Sequence, residues 1–173
     1  MKRIAVLLIS LFVFAVSSVA FANYQTYLNG NHDLILCDGH MGMGYYVDRT
    51  SLVVQRYEPP RYIIAVNVVT AVSAIGDERD FYAGGRGTIT NVRTMRFFYN
   101  WDLRQMYVGP VESDNWRFIP PTGSWAENGV SMPAGEIAFY LAYHMKFYGS
   151  KPFYNQFLKR DVMVYTDDFY TRI

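Results

Sequence analysis

The sequence predicts an α+β fold in which one antiparallel sheet of about five to seven strands is covered by a single late helix. The first supporting observation is Tyr62–Val72, whose residues alternate between a bulky β-branched face and a smaller, mixed face. That alternation is typical of a strand with one strongly buried face. The second is Ser131–Gly149, an almost wholly apolar stretch of helical length, which indicates a buried helix. We expect this helix to pack on the bulky face of the Tyr62–Val72 strand.

The N-terminal residues have the order of a secretory signal peptide. Met1–Arg3 is a short basic start, Ile4–Val16 is almost wholly apolar, and Ser17–Ala22 ends in small residues at alternate positions. This order predicts a signal peptide over 1–22 that is cleaved after Ala22. The remainder, 23–173, is then a single exported domain that works in a periplasm, at the cell surface or outside the cell.

Seven extended runs bounded by turn-forming residues are the predicted strands of this domain. They are Leu34–Cys37, Tyr45–Val47, Leu52–Tyr57, Tyr62–Val72, Ile89–Tyr99, Leu103–Val108 and Trp116–Ile119. The connections between them are rich in Gly, Pro, Asn and Asp, which favour turns and loops. They are Asp38–Gly44, Asp48–Ser51, Glu58–Arg61, Ala74–Arg86, Asn100–Asp102 and, before the helix, Thr122–Val130.

Helix-end residues set the bounds of the predicted helix. Ser131 is a suitable N-cap, Pro133 fits the first turn, and Gly149 fits the C-terminal cap. Alanines at every fourth position form a smooth ridge that would let the helix axis lie close to the sheet. The tail Lys151–Ile173 is harder to interpret, and we expect one or two helical turns over Phe153–Arg160 and an edge strand over Val162–Tyr165.

Charge and cysteine content exclude several classes of function. Loss of Lys2 and Arg3 with the signal peptide leaves 14 of the 16 basic residues against 15 acidic ones, a net charge of −1. A near-neutral chain with scattered basic residues has no electrostatic footprint for nucleic acid. No later segment reaches the ~20 apolar residues that a transmembrane helix needs. Cys37 is the only cysteine, so the domain has no internal disulfide and depends on packing.

Cys37 belongs to the densest cluster of reactive side-chain types, with His32 and His40 close in sequence. One hypothesis is a secreted hydrolase that uses the Cys37 thiolate with a histidine base. Such a cysteine usually needs a lowered pKa, from a helix N-terminus or an adjacent cationic histidine. Cys37 instead ends a strand-like run and shares a side with Ile35. We therefore favour a small buried side chain in the sheet.

A second hypothesis for this region is a metal site, because His32, Asp33, Asp38 and His40 all carry atoms that can bind a metal ion. A catalytic zinc needs three rigidly held protein ligands and an open position. These four residues flank a Gly-rich turn with no supporting helix. We favour a polar loop here, and we predict neither a metal ion nor a cofactor.

Two further patterns permit a catalytic or a structural interpretation. Glu136 and His144 lie eight residues apart in the predicted helix with Tyr140 between them, so an acid/base pair is conceivable. We favour a partly buried histidine beneath the sheet. Gly84–Gly87 resembles a phosphate cradle, but it lacks the Lys-Ser/Thr of a P-loop and leads into a strand, so we discount it.

The three tryptophans, Trp101, Trp116 and Trp125, fall in or beside predicted turns. Exposed aromatic rings near loop tips are natural contact residues for protein or carbohydrate. The same rings could instead close the ends of a small sheet. The sequence favours neither role.

A resemblance to a known family bears on function. Gly44–Leu52, followed by the strand Tyr62–Val72, resembles the surface-adhesin E family of small exported bacterial domains. The aromatic strand at Arg96–Tyr99 and the later Trp116 also resemble that family, so the similarity covers Met43 to Ile119. It implies an antiparallel sheet with a helix and a role in binding at the cell surface. No binding residues are carried over.

We therefore expect a non-enzymatic, exported binding or adhesin-like domain of the bacterial cell envelope. Its partner is a protein or a glycan at the cell surface, contacted by Tyr- and Trp-bearing strand edges and loops. One alternative is the secreted hydrolase that uses Cys37 with a histidine. The other is a periplasmic assembly factor, which would hold a stable protein partner.

Overall fold

A computed structural model describes residues 24–173 and confirms the α+β class with a mainly antiparallel sheet. The predicted signal peptide 1–22 lies outside the described residues. Six strands form one antiparallel sheet whose spatial order follows the chain. They are β1 (Leu34–His40), β2 (Met43–Glu58), β3 (Arg61–Ser73), β4 (Gly87–Asn100), β5 (Gln105–Gly109) and β6 (Arg117–Ile119). Two more, β7 (Phe153–Asn155) and β8 (Arg160–Val162), form a separate hairpin.

Four α-helices accompany these strands, and one of them is long. They are α1 (Glu78–Tyr82), α2 (Trp125–Asn128), α3 (Ser131–Tyr143) and α4 (Asp167–Tyr170). Single 3₁₀ turns occur at Leu28–Gly30 and Tyr148–Ser150. Helix α1 lies inside a segment predicted to be a loop, where the Asp77 side chain accepts a hydrogen bond from the Arg79 amide and caps the helix. Within residues 24–173, no helix has the length and apolar character to span a membrane.

Helix α3 packs on the bulky face of β3, as predicted. Side chains of that face of β3 and those of α3 belong to one buried core: Tyr62, Ile64, Val66 and Val68 with Ala134, Ile137, Ala138 and Phe139. The backbone of α3 approaches the sheet closely, since the Tyr99 hydroxyl donates to the Gly135 carbonyl at 2.7 Å. A side chain at Gly135 would collide with Met106 and Phe97. Small residues on α3 therefore permit the close helix–sheet contact.

A second, smaller core lies on the other face of the sheet. Tyr46, Val69 and Ala71 of the sheet contact Phe81 of α1 and the N-terminal Leu28. Strand β3 is thus buried on both faces at this end. That explains why its smaller face is also apolar, because only strands covered on both sides carry near-continuous apolar runs.

The predicted turn at Asp48–Ser51 is wrong, because β2 runs through it as one strand. The register with β3 shifts between Asp48 and Val53, which makes the segment a bulge. There the Ser51 hydroxyl donates to the Asp48 carbonyl at 2.6 Å and accepts from the Asn67 amide at 2.8 Å. The side chain takes the place of a missing ladder bond, so polar turn-like residues remain in a strand.

The predicted C-terminal end of the helix is also wrong, since α3 stops at Tyr143 and not at Gly149. His144 adopts a left-handed conformation, with φ of 52°, and its amide donates to the Tyr140 carbonyl. The chain then turns back, and the buried Glu136 carboxylate accepts the amides of Phe147 and Tyr148 at 2.7 and 2.8 Å. The residues after Tyr143, which the sequence analysis assigned to the helix, are therefore held by hydrogen bonds to the buried Glu136 side chain.

The tail Lys151–Ile173 is the outer cover of α3. The predicted helical turns over Phe153–Arg160 are wrong, because this segment is the β7–β8 hairpin. The predicted strand Val162–Tyr165 overlaps β8 only at Val162. Beyond it, the Tyr170 hydroxyl donates to Glu136 at 2.6 Å. The tail is therefore joined to the core through Tyr170, its one buried residue, while the β7–β8 hairpin stays largely exposed.

Candidate functional site

An open pocket of about 320 Å³ lies beside β1, between the segment that contains α2 and the C-terminal tail. Three separate parts of the chain supply its wall: Cys37 and Asp38 from β1; Gly123–Trp125, Asn128, Gly129, Met132 and Pro133 from the α2–α3 region; and Tyr165, Phe169 and Arg172 from the tail. Most of this wall is apolar, and a few polar groups converge on it. That combination is typical of small-ligand sites.

Trp125 forms the rim of the pocket and is held in place by two contacts. Its ring stacks on His40 with centroids 3.8 Å apart, and its Nε1 donates to the Asp38 carboxylate at 2.8 Å. A capping box at the start of α2, formed by Ser124 and Glu127, orients the helix that carries Trp125. The ring is 47% exposed. An aromatic face is therefore presented to solvent in a defined orientation.

Asn128 lies in the pocket wall with one of its two polar atoms unpaired. The side chain is 3% exposed, and its Nδ2 donates to the Pro120 carbonyl at 2.8 Å. Because a carbonyl oxygen can only accept, the atom that faces Pro120 is the Asn128 amide nitrogen. The second polar atom of the side chain is therefore Oδ1. Among the described residues, no group donates to this buried Oδ1. An unpaired buried acceptor costs about 1–3 kcal/mol, so a ligand group or a water molecule that donates to this oxygen would be stabilising.

Tyr165 and Arg172 add unpaired donors to the same pocket. The Tyr165 hydroxyl and the Arg172 Nε atom are both buried without a partner in the described part of the chain. Burial raises the pKa of Tyr165 well above its usual value and lowers that of Arg172. Tyr165 therefore keeps its donor proton, and an arginine remains charged in proteins. Phe169 holds both groups, since its ring stacks on Tyr165 at 4.1 Å and lies 4.6 Å from the Arg172 guanidinium.

Cys37 lies at the base of the pocket with the geometry of a packed core residue. It is 5% exposed and belongs to the same core as Ile35, and its Sγ donates to the Tyr45 carbonyl at 3.2 Å. Burial, with a smaller contribution from Asp38, raises the pKa of the thiol. The structure brings no histidine to hydrogen-bonding distance of this thiol within residues 24–173. Arg172 opposes this rise in the thiol pKa, but burial outweighs it, so Cys37 is not activated as a nucleophile.

We expect Cys37 in the folded protein to react with thiol reagents far more slowly than an unfolded control between about pH 5 and pH 9, because the thiolate is disfavoured by burial. The measurement is the labelling rate of the native and the urea-unfolded chain across that pH range. Rapid native labelling with an apparent pKa below about 8.5 would contradict the structure and restore the hydrolase hypothesis.

The four residues of the metal hypothesis are divided between two places. His32 and Asp33 are exposed, and the His32 ring packs on Tyr27 with centroids 4.1 Å apart. Asp38 and His40 are instead both engaged by Trp125 on the pocket rim. Over the described residues, no group of three or more His, Cys, Asp or Glu side chains could hold a metal ion.

Glu136 and His144 do not form an acid/base pair. Glu136 is fully buried, and its carboxylate accepts hydrogen bonds from backbone amides and from Tyr170. His144 is exposed at the end of α3, so the expectation of a partly buried histidine beneath the sheet is wrong. The left-handed conformation at His144 ends the helix and turns the side chain away from the core.

The Gly84–Gly87 segment serves close packing. A Cβ atom at Gly85 would meet the Asp80 carboxylate, and one at Gly87 would meet Leu28 and Phe81. Asn29 also bonds both backbone groups of Gly87, at 2.8 and 2.9 Å. An acidic side chain beside this loop is unfavourable to a phosphate.

The other two tryptophans are packed against neighbouring side chains. Trp101 stacks on Phe139, with the Arg104 guanidinium 3.3 Å from its ring centroid, and closes one end of the main core. Trp116 contacts Phe98 and lies under the Arg96 guanidinium on the opposite face of the sheet. Only Trp125 combines an exposed ring with a pocket.

Sequence reasoning identified Cys37, Asp38, His40 and Trp125 as candidates, and the structure brings them together. It missed Asn128, Tyr165 and Arg172, which supply the unpaired polar atoms. Their spacing in the chain carries no motif, and the tail has no periodicity that predicts its path. The chain matches no protein family model, no curated protein and no solved structure.

Proposed function

We propose that this chain is a non-enzymatic binding domain, exported to the cell envelope or beyond it, whose pocket holds a carboxylate group of a protein or glycan partner. The observation that carries the proposal is that three residues lining the pocket each have a buried polar atom without a partner among the described residues: the Arg172 Nε, the Tyr165 hydroxyl and the Asn128 Oδ1. Export and a surface role rest on the signal-peptide pattern and the adhesin-like resemblance in the sequence.

The chemistry of the pocket favours a carboxylate. Arg172 supplies a cationic donor and Tyr165 a neutral one, which together suit an anionic oxygen pair. Asp38 also lines the pocket, and its two carboxylate oxygens accept from the Gly39 amide and from Trp125. Its negative charge opposes a ligand carboxylate, so the proposal requires the Arg172 cation to outweigh it. Asn128 Oδ1 adds one acceptor, which suits an N–H or O–H group beside the ligand's carboxylate.

The apolar part of the wall supports binding without catalysis. Met132 and Pro133 offer apolar contact inside the pocket, and the exposed face of Trp125 offers stacking at its rim. Aromatic rings of this kind serve both peptide side chains and sugar faces. The buried, protonated thiol of Cys37 contributes a packed floor and no nucleophile.

The test is ligand-observed NMR with matched carboxylate and neutral probes. N-benzoylglycine and its primary amide represent a peptide carboxylate, and glucuronate and glucose represent an acidic and a neutral sugar. We expect at least one carboxylate to bind while its neutral counterpart does not. Arg172→Gln should weaken that binding at least about tenfold, because a charge-assisted hydrogen bond contributes about 1.5–3 kcal/mol.

Arg61→Gln is the matched control, because Arg61 is an exposed arginine outside the pocket. It should leave the affinity unchanged, and Cys37→Ser should do the same if the thiol is only structural. Equal binding of the neutral probes, or equal affinity in Arg172→Gln, would contradict the proposal. Hydrolysis of a probe that Cys37→Ser abolishes would instead support the secreted hydrolase.

A further inference from the structure

The β7–β8 hairpin carries the most exposed large apolar side chain among the described residues. Phe157 is 92% exposed, and the adjacent Leu158 is 50% exposed. Both lie in the loop between the paired residues Asn155 and Arg160. Turn loops normally carry Gly, Asn, Asp, Ser or Pro, so two adjacent large apolar residues at a tip are unusual.

This apolar tip is held in a defined conformation. The Asn155 Oδ1 atom accepts hydrogen bonds from the amides of both Phe157 and Leu158 at 2.9 Å. At the base of the hairpin, the Phe153 ring packs edge-on against the fully buried Tyr148 at 5.5 Å. The polar turn chemistry is thus supplied by Asn155, which leaves the two tip side chains free to project into solvent.

Cations lie along the hairpin. Lys159 and Arg160 are exposed beside the tip, Lys151 is exposed at the base, and Asp161 is the one acidic side chain between Lys151 and Val162. Within residues 24–173, none of these three cations forms an ion pair. The hairpin therefore has an apolar tip, and the residues around it carry a net positive charge.

We propose that the β7–β8 hairpin docks this chain on an anionic lipid surface, with Phe157 and Leu158 inserted among the lipids and Lys159 and Arg160 at the headgroups. The size of the tip favours a membrane over a protein partner. Two side chains of this kind bury on the order of 300 Å², whereas a stable protein interface buries roughly 800 Å² on each partner. Insertion into a bilayer interface requires only that the apolar side chains leave water, and lysines and arginines beside them reach the headgroups.

The test is co-sedimentation of the full chain with vesicles of equal parts phosphatidylcholine and phosphatidylglycerol, compared with vesicles of phosphatidylcholine alone. We expect preferential binding to the anionic vesicles that weakens as salt is added. Phe157→Ser with Leu158→Ser should reduce the partition coefficient at least about tenfold. Lys159→Gln and Arg160→Gln should each reduce it about fivefold.

Ile75→Ser is the matched control, since Ile75 is 74% exposed and lies between β3 and α1, away from the hairpin. All variants share the same N-terminal residues, so any membrane affinity of that segment cancels in the comparison. Ile75→Ser should bind as the unmodified chain does. An equal loss in Ile75→Ser and in the tip variant would overturn the proposal.

A site-specific probe gives a second, independent readout. Because Cys37 is buried, an environment-sensitive dye can be attached selectively to Gln156→Cys at the tip or to Ile75→Cys as control. Anionic vesicles should shift the emission of the tip dye to shorter wavelength and leave the control dye unchanged. No shift at the tip, or binding to pure phosphatidylcholine as tight as to anionic vesicles, would overturn the proposal.

Discussion

Glu136→Gln is expected to lower the free energy of unfolding by about 3 kcal/mol, because it disturbs the most connected buried polar group described here. The Glu136 carboxylate accepts from Phe147, Tyr148 and Tyr170 at 2.6–2.8 Å, and from the Gly149 amide at 3.4 Å. A glutamine at this position turns an N–H₂ group toward these donors. Urea denaturation of the wild type and the variant measures the loss.

Glu112→Gln is the control, since Glu112 is exposed and should change stability by no more than about 0.5 kcal/mol.

The pH dependence of the free energy of unfolding offers a second readout. Burial raises the pKa of the Glu136 carboxyl above 4.5, although its four hydrogen bonds oppose that shift. The raised pKa of Glu136 therefore adds to the free energy of unfolding below pH 4.5, and this contribution is lost as pH rises through the pKa of the folded state. The excess stability of the wild type over Glu136→Gln should shrink over that rise, and an excess that grows would contradict this direction.

Tyr148→Phe is expected to lower the free energy of unfolding by about 2–3 kcal/mol. The Tyr148 hydroxyl accepts from the Met106 amide at 3.0 Å and donates to the Ile119 carbonyl, so it joins β5 to β6. Met106 and Ile119 are both fully buried, and loss of the hydroxyl removes one hydrogen bond from a buried backbone group of each. Thermal or urea denaturation of the variant measures the cost.

Tyr154→Phe is the matched control, because Tyr154 is 58% exposed on the β7–β8 hairpin. We expect its free energy of unfolding to stay within about 0.5 kcal/mol of the wild type. A Tyr148→Phe variant as stable as Tyr154→Phe would mean that water replaces the hydroxyl between β5 and β6.

Most of the sheet could be predicted from local pattern. The alternation in Tyr62–Val72 and the prolines at Glu58–Arg61 located β3 and the turn before it, because period and backbone restriction are properties of short segments. The same reasoning failed at Asp48–Ser51. There the Ser51 hydroxyl accepts a hydrogen bond from the Asn67 amide of the neighbouring strand, so β2 continues through a bulge as one strand.

The pocket could be predicted only in part. Asp38, His40 and Trp125 were visible as candidates because of their types, but nothing in the sequence indicates that Trp125 donates to Asp38 across 87 positions. Asn128 and Arg172 were missed because they become candidates only through a polar atom that is buried without a partner. Whether a polar atom is buried without a partner is a property of the folded chain, and neither the type nor the spacing of these two residues indicates it.

By itself, the sequence determined the α+β class, the packing of the late helix on the bulky face of β3, and the burial of Cys37 beside Ile35. Each follows from periodicity or composition over a few residues, where the backbone period and the hydrophobic effect act locally. Only the tertiary structure decided the end of α3 at Tyr143, the course of the tail over that helix, and the meeting of Asp38, Trp125 and Arg172 in one pocket. These depend on contacts between residues far apart in the chain, above all on the buried Glu136 that gathers the tail onto α3.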